Sequence, residues 1–234
     1  MPNTFLSANQ ANSLFWLGRY AERGYLMLHL MRRAYDEVID VPVGEVPYSD
    51  FLAKINGFAT SNLTTSYQMM KQIYDPETTT SLRSIIERMM DNAITLRAQI
   101  YSESFSYIEL CRNLIREKAA LQETNITALQ PITDWLLAFW GSIRERVHGR
   151  TYSLLEVGRL VERIDMFVRF DYKHVRVEET WQTLRGYIAT EGVLFDHVQA
   201  ERLGTLLADA AAFDAHDATY KDNLLSALNC LVMV

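Results

Sequence analysis

A stretch reading Gly-Arg-x-x-Glu-Arg occurs twice, 140 residues apart, and both copies sit in helical apolar surroundings. Leu14, Gly18, Arg19, Glu22 and Arg23 match Leu154, Gly158, Arg159, Glu162 and Arg163 at constant offset. At 3.6 residues per turn, Gly18, Arg19, Glu22 and Arg23 fall within an arc of roughly 140°, and Phe15, Leu26 and Leu30 share it. Charge and apolar bulk on one face imply a helix near the centre of a bundle, with half-buried charges that need partners. The glycines let a neighbouring backbone approach closely, at roughly 1 kcal/mol of helix propensity each. The expectation is an all-α, single antiparallel helical bundle, residues 1–234, in which two pseudo-symmetry-related motif helices face each other.

The element pattern agrees. Ser7 and Gln10 have capping-box spacing ahead of a helix over about 8–39. Pro47 opens a short helical segment around 49–58, and a Ser/Thr-rich patch leads into another ending near Tyr74. Asp75-Pro76-Glu77 is a turn, and Ser81 caps a helix that runs, with a break near Ser102-Glu103, to about Leu121. Asn125 or Thr127 starts the next, which carries Pro131 in its first turn and stops at Gly149. Ser153 caps the second motif helix, over about 153–175. Segments 178–189, 191–213 and 217–233 keep helical spacing, with Asp196, Asp209 and Asp222 among apolar residues. No segment of useful length alternates as a strand does, and 10 Gly and 5 Pro punctuate the 234 residues.

Composition narrows the function classes. Hydrophobic residues are 49% and charged residues 22%, ordinary globular usage. A net charge of −6 and a pI of 5.4 argue against nucleic acid, whose readers carry clustered basic faces. Residues 1–10 lack a basic n-region followed by an apolar run, and no apolar run reaches membrane length, so the expectation is a soluble, cytoplasmic protein without membrane contact. Cys111 and Cys230 lack CxxC spacing and read as buried free thiols.

Each motif contributes two arginines and one glutamate. Bringing Arg19, Glu22, Arg23, Arg159, Glu162 and Arg163 together leaves two positive charges over. Either nearby acids such as Glu87, Asp91, Glu103, Glu156 or Asp165 absorb them, closing a structural network, or an anionic ligand does, since guanidinium forks suit carboxylate and phosphate. His29 shares the motif face and reads as a core histidine beside the cluster.

At these residues the chain resembles the alpha-E domain family, all-helical bacterial proteins named for a Glu-Arg motif. Ala11 to Arg23 resembles the family's opening, Gly158 to Met166 its second signature, and Ile86 to Ala93, continuing through Arg97 to Glu103, an altered third, where the family usually reads Ala-Arg-Glu-Asn-Ala. The resemblance runs to about Arg169, and the remainder is shorter than in typical members. It implies a partner role: such domains occur beside, or fused to, ATP-grasp ligases and transglutaminase-like peptidases, which suggests peptide synthesis or modification. It carries no catalytic assignment.

Other constellations are weaker. Glu145 and His148 have the Glu-x-x-His spacing of a di-iron bundle, but that site needs a second pair and two more glutamates, and Asp171 with His174 is a poor substitute. No phosphate loop, nucleophile elbow or HExxH stretch is present, and no cofactor or metal is expected. Three readings follow. One is a non-catalytic binding or scaffold domain assisting an ATP-grasp-type ligase, its cluster facing an anionic small molecule or peptide. The second is an enzyme using Glu22 or Glu162 as base. The third is a structural bundle that forms a homo-oligomer.

Overall fold

In a computed structural model the described residues are 6–39, 52–55 and 65–233. The expected segment around Pro47, and the patch before residue 65, lie largely outside them. Besides helical residues 52–55, the described residues form these helices in chain order: α1 Ala8–Ile39, α2 Thr65–Tyr74, α3 Leu82–Thr95, α4 Arg97–Ala120, α5 Gln130–Arg146, α6 Gly149–Arg169, α7 His174–Thr190, α8 His197–Leu207, α9 Ala210–Asp214 and α10 Ala218–Asn229. Short 3-10 turns occupy Ile126–Leu129 and Gly192–Leu194, and the single β-bridge among the described residues joins Phe195 to Val232. The chain is all-α. No helix of the described residues is long and apolar enough to cross a membrane.

The helix starts follow side-chain chemistry. Ser7 N–H donates to Gln10 Oε1 at 3.0 Å and Gln10 N–H to Ser7 Oγ at 3.2 Å, a reciprocal capping box that sets the start of α1. Ser81 Oγ accepts from Ser84 N–H at 3.1 Å ahead of α3, and Asn125 Oδ1 accepts from Thr127 N–H at 2.9 Å, with Pro131 in the first turn of α5.

Ends were harder to read. The second motif helix begins at Gly149, not Ser153, because Gly149 itself makes the turn at φ 61 after the extended Val147. It ends at Arg169, not near Val175. Asp171 takes the left-handed φ of 56, and Tyr172 N–H donates to Phe167 O at 3.0 Å, a Schellman closure without the usual glycine. The expected helix over 191–213 is three pieces. Asp196 accepts from Val198 and Gln199 N–H, and Asp209 from Ala212 N–H, so these two acids among apolar residues are caps that start α8 and α9. Asp217 caps α10, which stops at Asn229; the residues beyond turn extended, Met233 N–H donating to Leu194 O at 2.8 Å.

Contacts cluster in two compact units, the boundaries falling inside α1 and α6. Unit 1 comprises residues 1–19 and 153–234. Its core joins Leu14 and Leu17 to Leu154, Val157, Val161, Leu203, Leu224 and Phe195, all at 1% exposure or less. Unit 2 comprises residues 20–152. There α3 and α5 pack on α4 through Leu82, Ile108, Ile115, Leu136 and Phe139, and a buried hydrogen bond of 2.8 Å joins Ser104 to Ser142.

Two local features are testable. α4 kinks at Tyr101, which holds φ 63 and ψ 159, close to the expected break. That conformation is essentially reserved for glycine, and the Tyr101 side chain is half exposed. Tyr101→Gly is therefore expected to gain about 1–2 kcal/mol, net of glycine's larger unfolded-state entropy, read as a rise in Tm. Cys111 is fully buried, and burial pushes its thiol up to about 12, whereas Cys230 is exposed, contrary to the sequence expectation that both are buried. At neutral pH a disulfide-exchange reagent should label Cys230 promptly and Cys111 only on unfolding.

Candidate functional site

Unit 1 brings the first copy of the motif, as far as Arg19, against the second. Phe15, Gly18 and Arg19 of α1 meet Leu155, Gly158 and Arg159 of α6. A Cβ placed on Gly18 would stand 2.2 Å from Leu155 O and 3.2 Å from Arg159 N; one placed on Gly158 would stand 2.1 Å from Phe15 O and 3.1 Å from Arg19 N. The two clasps are one arrangement with the helices exchanged. Each glycine hydrogen points at a carbonyl of the other helix, a Cα–H···O contact about 0.5–1 kcal/mol in strength.

Beside this clasp lies an ion pair. Arg19 is 7% exposed and Glu162 is 1% exposed, and Arg19 Nε donates to Glu162 Oε2 at 2.7 Å. Both Arg19 Nη groups donate to Asn229 Oδ1 at 3.3 Å, and the guanidinium carbon lies 5.0 Å from the Trp16 ring centre and 5.8 Å from that of Phe15. Carboxylate, amide and aromatic rings surround the cation, which is how a buried guanidinium is kept charged away from water. Asn229 was missed by sequence reasoning. It lies 210 positions from Arg19 at the end of a helix, and no spacing rule links them.

The remaining site residues are distributed as follows. Arg159 Nη1 donates to Glu156 Oε1 at 2.9 Å within α6, and Arg169 Nε to Asp165 Oδ2 at 2.7 Å. Arg163 is half-buried. Glu22 (1% exposed) and the half-buried Arg23 belong to unit 2. Four proposed companions differ from expectation. His29 is exposed, not core, and Asp91 is exposed. Glu103 pairs with Arg146. Glu87 accepts from Arg112 Nε at 2.9 Å and Arg116 Nη2 at 2.8 Å, so its charge serves the α3–α4 contact and no motif arginine. Burial alone raises the Glu87 carboxyl, but the bonds from Arg116 and Arg112 outweigh it and hold the group below the usual carboxylate range.

Glu145 and His148, the lone Glu-x-x-His pair, are both exposed, and Asp171 pairs instead with Lys221 and His216. Among the described residues no group of three or more His, Cys, Asp or Glu is placed to hold a metal ion.

Fold and site together define an all-helical domain whose motif residues Gly18 and Arg19 pack against Gly158, Arg159 and Glu162. The chain belongs to the Alpha-E family, described as a predicted alpha-helical domain with a conserved ER motif, whose sequence profile matches residues 6–231. The match extends through the C-terminal helices, well past Arg169. No curated protein and no solved structure matches the chain.

Proposed function

We propose that this chain is a non-catalytic binding or scaffold domain that assists an ATP-grasp-type ligase, or a transglutaminase-like protein, in making or modifying a peptide, and that it works in the cytoplasm. One observation carries the non-catalytic part of the reading. Glu162, one of the two candidate bases, is buried at 1% exposure and bonded to Arg19, and Arg19 is itself enclosed by Asn229 and two rings. A base must reach a substrate proton within hydrogen-bond distance. A carboxylate locked this way instead holds two helices in register.

The reciprocal glycine clasps support a further reading, that the two motif copies are halves of an internal repeat about a pseudo-twofold axis. Recognition then falls to surfaces outside the clasp. The partner part of the reading rests on the family likeness.

The test is co-expression of the full chain with an ATP-grasp ligase of the same genome. The expected result is co-elution and a change in ligase turnover. Separate elution and unchanged turnover overturn the partner role. An activity of the isolated chain that Glu162→Gln abolishes at unchanged Tm favours the enzyme reading instead.

A further inference from the structure

Unit 2 holds an open, solvent-facing cleft of about 420 Å³ where the end of α2 meets the end of α4. That volume lies in the range of about 300–1,000 Å³ used by small-molecule sites. Tyr67, Met70, Lys71 and Tyr74 line it from α2 at positions i, i+3, i+4 and i+7, one face of the helix. Asp75 follows directly, and Ala119 in the last turn of α4 and Gln122 just past its end close it.

The electrostatic sign of this cleft follows from its neighbours. Two helix C-termini converge on it, each equivalent to about −0.5 charge. Asp75 adds a carboxylate, and Glu123 stands close enough to act on Tyr74, whose hydroxyl burial and the Glu123 charge push up to about 12. Opposing them is Lys71; Lys118 is paired with Glu117 at 3.3 Å. The balance is negative, beside two tyrosines and a thioether, surroundings that attract an organic cation.

We propose that this cleft binds a small organic ammonium, its charged head against Asp75, Tyr67 and Tyr74 and its apolar body against Met70. The Asp75 carboxylate is fixed in orientation by its own turn, Oδ1 accepting from Glu77 N–H at 3.0 Å and Oδ2 from Thr78 Oγ1 at 2.7 Å. Lys71 is the competitor for that carboxylate. Its ammonium stands 3.7 Å from Asp75 Oδ2, longer than a direct hydrogen bond, and its side chain is half exposed, so it turns outward at little cost. The inference is independent of the ligase reading.

Phenethylamine and 3-phenylpropionate, of similar size and opposite charge, are the probes, added to the full chain carrying methyl-13C methionine, with the Met70 signal assigned through Met70→Leu. A saturating Met70 shift with the amine and none with the carboxylate is expected. Binding should tighten several-fold in Lys71→Gln, which removes the competitor, and weaken several-fold in Tyr67→Ala, a half-exposed position whose truncation spares the core. Equal response to both probes, no saturation, or weaker binding in Lys71→Gln overturns the proposal.

Discussion

Gly158→Ala is expected to lose about 3 kcal/mol or more, the upper end of what overpacking costs, out of a total stability of roughly 5–15 kcal/mol. The added Cβ would lie 2.1 Å from Phe15 O and 3.0 Å from its carbonyl carbon, where real Cβ atoms essentially never come under 3.0 Å. The obstacle is backbone inside a helix, which has no rotamer to change. Relief requires α1 and α6 to part by about an ångström, and a close-packed interface loses much of its dispersion energy over such a gap. Gly18→Ala meets Leu155 O at 2.2 Å and should behave alike.

The control is Gly24→Ala, six residues on in the same helix. Its Cβ would find only side-chain atoms, Leu136 Cδ1 at 3.6 Å, Ile85 Cγ2 at 3.8 Å and Leu82 Cδ1 at 4.0 Å, all ordinary contact. Helix propensity then decides, and this variant should gain up to about 1 kcal/mol. Denaturant melts of the three variants check the contrast. If Gly158→Ala and Gly24→Ala both stabilise, the clasp is not a close contact in solution.

The clasp was legible because its signal is local: small residues at one position of a repeated helical face announce a close backbone approach. Helix class and most starts were legible for the same reason, since Ser7, Ser81, Asn125 and Asp217 act within three residues of themselves. Helix ends were less so. Asp171 and His216 take left-handed φ values of 56 and 55 without glycine; Asp and His enter that region more readily than most residues, but the preference is too weak to mark a helix end. Asp196 and Asp209 lay in an apolar-periodic stretch that reads as one helix until their carboxylates are seen on backbone N–H groups. Charge pairing was the least legible level. Glu87 and Glu103 read as companions of the motif arginines, but a carboxylate bonds whichever guanidinium tertiary packing sets beside it, and packing set Arg112, Arg116 and Arg146 there.

Arg19→Met should destabilise by about 3–5 kcal/mol, because it takes the Arg19 guanidinium and its 2.7 Å bond away from a carboxylate that is 1% exposed. Glu162→Leu should cost a similar amount by stranding Arg19. The double variant Arg19→Met/Glu162→Leu is expected to recover most of the loss, since an apolar pair of similar volume needs no desolvation of charge. The resulting coupling energy, well above about 1 kcal/mol in a double-mutant cycle, marks a direct interaction. Asn229→Ala, which removes only two long bonds of 3.3 Å, should cost about 1–2 kcal/mol. Arg116→Met gives the surface reference: at 45% side-chain exposure its pair with Glu87 should be worth under about 1 kcal/mol. The comparison bears on function as well as stability. If Arg19→Met folds as tightly as the parent, the fold does not need the pair, and Arg19 becomes available for an anionic ligand. If it unfolds and the double variant does not, the motif's first arginine and second glutamate act as a lock between helices, and the binding surface lies elsewhere on the domain.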